Sequence, residues 1–95
     1  MEQNKSYMVV TNEIYHIEYS LGYDYVYLEQ LFIKPKYRNR GYTIKIIRNL
    51  MKNTNQNELR LLCYPNLIKF YEHIGLTLWS KSLDGNGLVE MYITN

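Results

Sequence analysis

The spacing of apolar residues along the chain changes period several times, and each change marks an element. Residues 7–11 form a short apolar run read as a strand, followed by a turn at Asn12-Glu13. Over 13–20 the period is two. Ile14, His16, Glu18 and Ser20 fall on one side and Tyr15, Ile17 and Tyr19 near the other, which predicts a strand hairpinned with the first. After a turn at 21–24, residues 25–33 are nearly continuous in aromatic and branched side chains, as expected of a central strand covered on both faces. Pro35 ends it, because proline cannot donate to a central ladder. Beyond Gly41 the period becomes helical. Ile44, Ile47 and Met51 recur at three and four residues, with Ile46 and Leu50 beside them, giving an amphipathic helix of about three turns. A polar break at 53–57 precedes a strand over 58–63. Pro65 and Asn66 open a second helix over 67–74 with Gly75 at its C-terminal cap. Strands over 76–82 and 88–93 flank the tight-turn run Asp84-Gly85-Asn86-Gly87. The order is β-β-β-α-β-α-β-β, an α/β domain with sandwich-like layers around one mixed sheet.

Composition sharpens this picture in three places. The 95 residues make one domain, 1–95, of modest core. Eleven tyrosines favour strands and half-buried surfaces, in keeping with a β-rich content. No apolar run reaches the roughly 18 residues that span a bilayer, the start of the chain is polar, and Cys63 has no second cysteine to pair with. These features lead us to expect a reducing, cytoplasmic setting without a membrane partner, and nothing in the sequence suggests a metal site.

Charge is more informative locally than in total. The formal net charge is only +2, so bulk charge implies no nucleic-acid partner. Yet Lys34, Lys36, Arg38, Arg40, Lys45, Arg48 and Lys52 all lie in one segment free of acidic residues. That segment runs from strand through Arg38-Asn39-Arg40-Gly41-Tyr42-Thr43 into helix. The N–H groups at a helix start lack internal partners and carry the positive end of the helix dipole, so such a loop can wrap a phosphate group. Gly41 would allow the close approach and unusual dihedrals that this requires. Solvated basic side chains on a loop and helix face are the plain alternative. The segment matches neither the Walker nor the three-glycine dinucleotide pattern.

Residues 31–42, reading LFIKPKYRNRGY, resemble the central motif of the GCN5-related N-acetyltransferases: an apolar strand ending near proline, then Arg/Gln-x-x-Gly-x-Gly/Ala. Residues 66–76, NLIKFYEHIGL, resemble the same family's Asn, then Phe/Leu-Tyr-Glu-x-x-Gly-Phe helix. The two motifs stand in the family's order, one strand apart. The resemblance implies an acetyltransferase fold using acetyl-CoA as co-substrate and no metal. It implies that backbone amides around Arg38, Arg40, Gly41, Tyr42 and Thr43 hold the coenzyme A pyrophosphate. Leu31, Phe32 and Ile33 would line the pantetheine arm, and Asn66 would bond to that arm or to the helix start. Tyr71 would protonate the departing thiolate, the alternative being a tyrosine simply packed on the sheet. Glu29, two residues before Leu31 and so expected on the same face as Leu31 and Ile33, would receive the amine's proton. Its alternative is an ion pair with a basic neighbour, while His16 and His73 are expected on solvated faces and Cys63 in the core.

Two departures bear on this. Thr43 stands where the family prefers Gly or Ala, adding bulk beside the phosphate site. Only about six residues precede the first strand, where the family has a further strand and two helices forming one wall of the acceptor site. An open cleft suits a large acceptor such as a protein lysine, or a homodimer that supplies the wall. The size, Tyr64-Pro65 and the following Leu-Ile-x-Phe-Tyr resemble the short phage-encoded anti-CRISPR acetyltransferases. The expected function is acetyl transfer to a primary amine. The competing readings are a catalytically inactive interaction domain and a small nucleic-acid-binding module using the basic segment 34–52.

Overall fold

The computed structural model describes residues 6–80 and 85–95. Six strands form one sheet: β1 (Tyr7–Thr11), β2 (Tyr15–Leu21), β3 (Val26–Ile33), β4 (Glu58–Cys63), β5 (Thr77–Ser80) and β6 (Val89–Thr94). Helix α1 (Tyr42–Asn53) joins β3 to β4, and α2 (Ile68–His73) joins β4 to β5. The spatial order is β1-β2-β3-β4-β6-β5, antiparallel throughout except for the β3–β4 pair. The expected sequence of elements is therefore present. Residues 81–82 of the expected fifth strand and Asp84 of the expected turn lie outside the described residues.

Local chemistry explains the junctions. Asn12 makes the β1–β2 turn, its Oδ1 accepting from the N–H of Ile14 at 2.8 Å and of Tyr15 at 2.9 Å. Helix α2 ends in a Schellman arrangement. The Leu76 N–H reaches the Tyr71 carbonyl at 2.9 Å and the Gly75 N–H the Glu72 carbonyl at 3.1 Å, with Gly75 at φ 116°.

The register sorts side chains onto two unequal faces. Ile17, Val26, Leu28, Leu59, Leu61, Val89, Met91 and Ile93 form the buried face, closed by Ile46, Ile47, Leu50 and Met51 of α1. Each of these aliphatic side chains contributes about 1.5–3 kcal/mol on burial. The other face carries Val9, Thr11, His16, Glu18, Gln30, Phe32, Arg60 and Tyr92, and no described helix covers it. The expectation that β3 is covered on both faces is thus corrected: the layers are two, helices on one side only. The run of aromatics in β3 misled because a tyrosine fits a half-exposed position as readily as a buried one.

A second correction concerns Glu29. The β2–β3 register slips by one residue, pairing Glu18 with Gln30 but Tyr19 with Leu28, so Glu29 is the extra residue of a β-bulge. The bulge turns both Glu29 and Gln30 to the open face, whereas Leu31 and Ile33 return to the helix side. Glu29 therefore does not share a face with Leu31 and Ile33.

Ile47 has no solvent exposure at the centre of the α1–sheet contact. Ile47→Ala should lower stability by about 2–5 kcal/mol. A shift of the urea unfolding midpoint measures it, and a change within experimental error would contradict this packing.

Candidate functional site

The site begins where β3 and β4 part. Their parallel pairing covers Val26–Leu59, Tyr27–Arg60 and Leu28–Leu61 and then stops. Beyond Leu28 the β4 side of β3 has no strand partner, so alternate backbone N–H and C=O groups of 29–33 face open space. Of these, the Ile33 carbonyl is taken by the Arg38 side chain, whose Nε donates to it at 2.7 Å. The bulge at Glu29 bends the strand at the point where pairing ends.

From Ile33 the chain passes through a 3-10 turn at Pro35–Tyr37 and reaches α1 by a loop with two left-handed residues, Asn39 at φ 62° and Gly41 at φ 77°. Gly41 is the N-cap of α1 and no side chain caps the helix start; its first turn holds no acidic residue. The first N–H groups of a 12-residue helix are thus left for solvent or an anion. The Arg38 guanidinium lies 5.0 Å from the Phe32 ring centroid and the Lys45 ammonium 5.8 Å from that of Tyr42.

These features open on one cleft of about 610 Å³, lined by Leu31, Phe32, Ile33, Arg38, Gly41, Tyr42 and Thr43 among the expected residues, and closed by Tyr71 on α2. Arg40 is exposed and lines no part of it, and neither does Asn66. Asn66 makes no capping bond to α2, whose N-cap is Leu67. Pattern reading missed Tyr37, Ile44 and Leu67 as cleft walls. The usable signal was their position: Tyr37 and Leu67 lie inside the two motifs and Ile44 just beyond the first, and each is large and apolar or aromatic.

Tyr71 is half-buried, edge-on to Phe70 with ring centroids 5.1 Å apart, and its hydroxyl has no hydrogen-bond partner among the described residues. Burial, and to a lesser degree the neighbouring Cys63, pushes its pKa above the ordinary tyrosine value. Cys63 is buried, as expected, and its thiol is also pushed up by burial. A second, smaller opening of about 230 Å³ includes Glu29, Gln30, Leu62, Cys63 and Tyr71 and shares Leu31, Leu67 and Tyr71 with the main cleft. The two openings thus adjoin at Leu31, Leu67 and Tyr71, where the strands splay.

In the smaller opening Glu29 is held by Ser20, whose hydroxyl donates to its Oε2 at 2.9 Å. Ser20 is the one buried polar residue of the described part. The ion pair weighed for Glu29 is replaced by this neutral donor. His16 lies on the open face between Thr11 (2.6 Å) and Glu18 (2.8 Å), and His73 is exposed at the end of α2, both as expected. No group of three or more His, Cys, Asp or Glu is placed to bind a metal ion among the described residues. No described helix is long and apolar enough to cross a membrane.

Gly41→Ala meets no atom within 4 Å, so its cost is conformational alone. Alanine held in the left-handed region should lose about 1–2 kcal/mol, measurable by chemical denaturation without ligand. A neutral result would show that the loop relaxes away from this conformation.

No protein-family model and no curated protein matches the chain. Solved structures do. The chain is similar to a PaiA N-acetyltransferase from Thermoplasma acidophilum in complex with coenzyme A, at 24% identity and TM-score 0.65, over 86% of this chain and 54% of that one. A chimera of the spermidine N-acetyltransferase from Vibrio cholerae matches at 19% identity and TM-score 0.63, over 87% of this chain and 59% of that one. The anti-CRISPR protein AcrVA5 matches at 20% identity and TM-score 0.62, over 88% of this chain and 96% of that one. The chain thus spans little more than half the length of the first two structures and nearly all of the third. Its fold is that of the GCN5-related N-acetyltransferases.

Proposed function

We propose that the protein transfers an acetyl group from acetyl-CoA to a primary amine. The observation that carries the reading is a single cleft joining the uncapped start of α1 to the unpartnered Tyr71 hydroxyl, past the unpaired edge of β3. The likeness to a coenzyme-A-bound N-acetyltransferase supports the co-substrate, and the likeness to a spermidine N-acetyltransferase supports an amine acceptor.

In this reading the amides of Gly41, Tyr42 and Thr43 receive the pyrophosphate, with Arg38 at the cleft wall supplying charge. Those N–H and C=O groups of 31–33 that face the open side pair with the amides of the pantetheine arm, the Ile33 carbonyl being held by Arg38. Thr43 carries a side chain here, and its hydroxyl offers a phosphate a further donor. The thioester supplies an electrophilic carbonyl carbon, which the neutral amine nitrogen attacks. An N–H on the unpaired side of β3 stabilises the developing oxyanion. As the C–S bond breaks, the Tyr71 hydroxyl gives its proton to the sulfur. The proton lost by the amine passes to Glu29 in the smaller opening, directly or through water. Ser20 keeps that carboxylate turned toward the opening. The finer proposal for the acceptor is a protein lysine, because the opening beside Glu29 lies on a broad face that no described helix covers.

A specific observation favours a second reading, that of a coenzyme A binder without turnover: Asn66 stands off the cleft, while Thr43 brings a side chain to its wall. Turnover separates the two.

Acetyl-CoA at millimolar concentration should raise the melting temperature; no shift with either coenzyme A or acetyl-CoA would end both readings. Tyr71→Phe should lower kcat by about 10²-fold while leaving coenzyme A affinity nearly unchanged. Equal losses of kcat and affinity would instead make Tyr71 a packing residue. Because the acid must be protonated and its pKa is raised above about 10, acetyl transfer should persist through mildly alkaline pH. An alkaline fall in rate well below pH 10, in wild type and Tyr71→Phe alike, would assign it to another group.

A further inference from the structure

The charges of this chain are partitioned. Seven of eleven basic residues lie in 34–52 and no acidic residue does, so the remainder carries four basic and nine acidic residues, a formal net charge of −5. Four of those carboxylates, Glu18, Glu29, Glu58 and Glu90, occupy the open face of the sheet.

Their compensation is meagre. Among the described residues Arg60 is the one Lys or Arg on the strands of that face, with Arg38 from the neighbouring loop lying over Phe32 at its edge, and both are already engaged. Arg60 pairs with Glu58 and stacks between Tyr25, 3.9 Å from the ring centroid, and Trp79, at 4.8 Å. Glu18 accepts from Tyr7 and bonds His16, and these hydrogen bonds hold its carboxyl below the ordinary range, so it stays charged. Glu29 has a neutral donor. Between the carboxylates stand large exposed side chains: Tyr7 and Val9, each 55% exposed, Trp79 at 52% and Phe32 at 50%. The face therefore offers apolar area together with uncompensated negative charge, and the smaller opening, which reaches Tyr71, lies beside Glu29.

We infer that this helix-free face is a docking surface for a lysine-bearing, positively charged segment of another protein, which it delivers to that opening. The inference rests on the acetyl-transfer reading and deepens it. Charge complementarity selects the occupant: a cationic segment is attracted here and repelled by the 34–52 side, where the anionic co-substrate is drawn instead. The two substrates thus approach from opposite faces, and their surfaces meet only at Phe32 and Arg38 on the edge of the main cleft.

Trp79 is the single tryptophan of the chain and stands on this face, so its emission reports occupancy without any turnover. The probe is a synthetic peptide carrying several lysines among apolar residues; the control is the same peptide with glutamate at each lysine. The lysine peptide should shift Trp79 emission saturably and more weakly as salt rises, while the control should not. Glu18→Lys with Glu90→Lys should raise the apparent Kd by about tenfold. Acetyl transfer to N-acetyl-lysine amide should be unaffected in that variant. The milder Glu18→Gln with Glu90→Gln should give a smaller change of the same sign if the reversal variant folds poorly. An unmoved Trp79 emission, with acetyl transfer to the small amine intact, overturns the docking inference and leaves the acetyl-transfer reading standing. Failure to bind coenzyme A, with the Trp79 response retained, does the reverse. Emission that shifts with protein concentration alone assigns the face to a second copy of the chain and also overturns the inference.

Discussion

The rest of the structure hangs on the parting of β3 from β4 after three paired positions. A parallel pair that ran the full length of both strands would satisfy every backbone group and close the sheet. Here the extra residue at Glu29 bends β3, pairing ends at Leu28–Leu61, and the freed strand edge becomes a wall of the cleft. The cost is a set of backbone groups without ladder partners, tolerable only while they face water or a ligand that replaces the lost bonds. The same parting leaves room for both openings that adjoin at Tyr71, so the two have one cause. Even the buried Ser20 belongs to this arrangement, since its hydroxyl holds the carboxylate that the bulge turns outward.

The uncapped start of α1 depends on that geometry in turn. Gly41 in the left-handed region, following Asn39 in the same conformation, brings the helix start to the end of the parted strand. Neither a capping side chain nor a first-turn carboxylate competes for its N–H groups. Ser, Thr, Asp or Asn before the first turn would supply a side-chain acceptor that Gly41 lacks, at a gain of a few tenths of a kcal/mol. Their absence reads as a site kept free for a negative group, in the segment where the chain concentrates its positive charge.

Much of this was legible in sequence, and the parts that were not share a reason. Element order followed from the shifts between periods two and 3.6, and β1 and β4 from short apolar runs bounded by polar or proline residues. The Gly75 cap was legible because only a few residues tolerate positive φ. What failed was the facing of β3. Periodicity assumes an unbroken pleat, and a bulge reverses every side chain beyond it. The adjacent polar pair Glu29-Gln30 was the visible trace of that break. The open face was equally hidden, because eleven tyrosines give buried and exposed positions the same signature. Within the candidate site, Leu31, Phe32, Ile33, Arg38, Gly41, Tyr42 and Thr43 of the first motif line the cleft. Arg40 and Asn66 do not line it, since their direction depends on loop dihedrals that no spacing encodes.

The central claim is that coenzyme A occupies the parted edge of β3 and the start of α1. Amide NMR shifts during a coenzyme A titration test it residue by residue. The account predicts that the largest changes fall at 31–33 and 41–44, with the open face around Trp79 nearly still. Changes spread over the outer basic positions Lys45, Arg48 and Lys52, with 31–33 unmoved, would show an anion held by surface charge alone and contradict it.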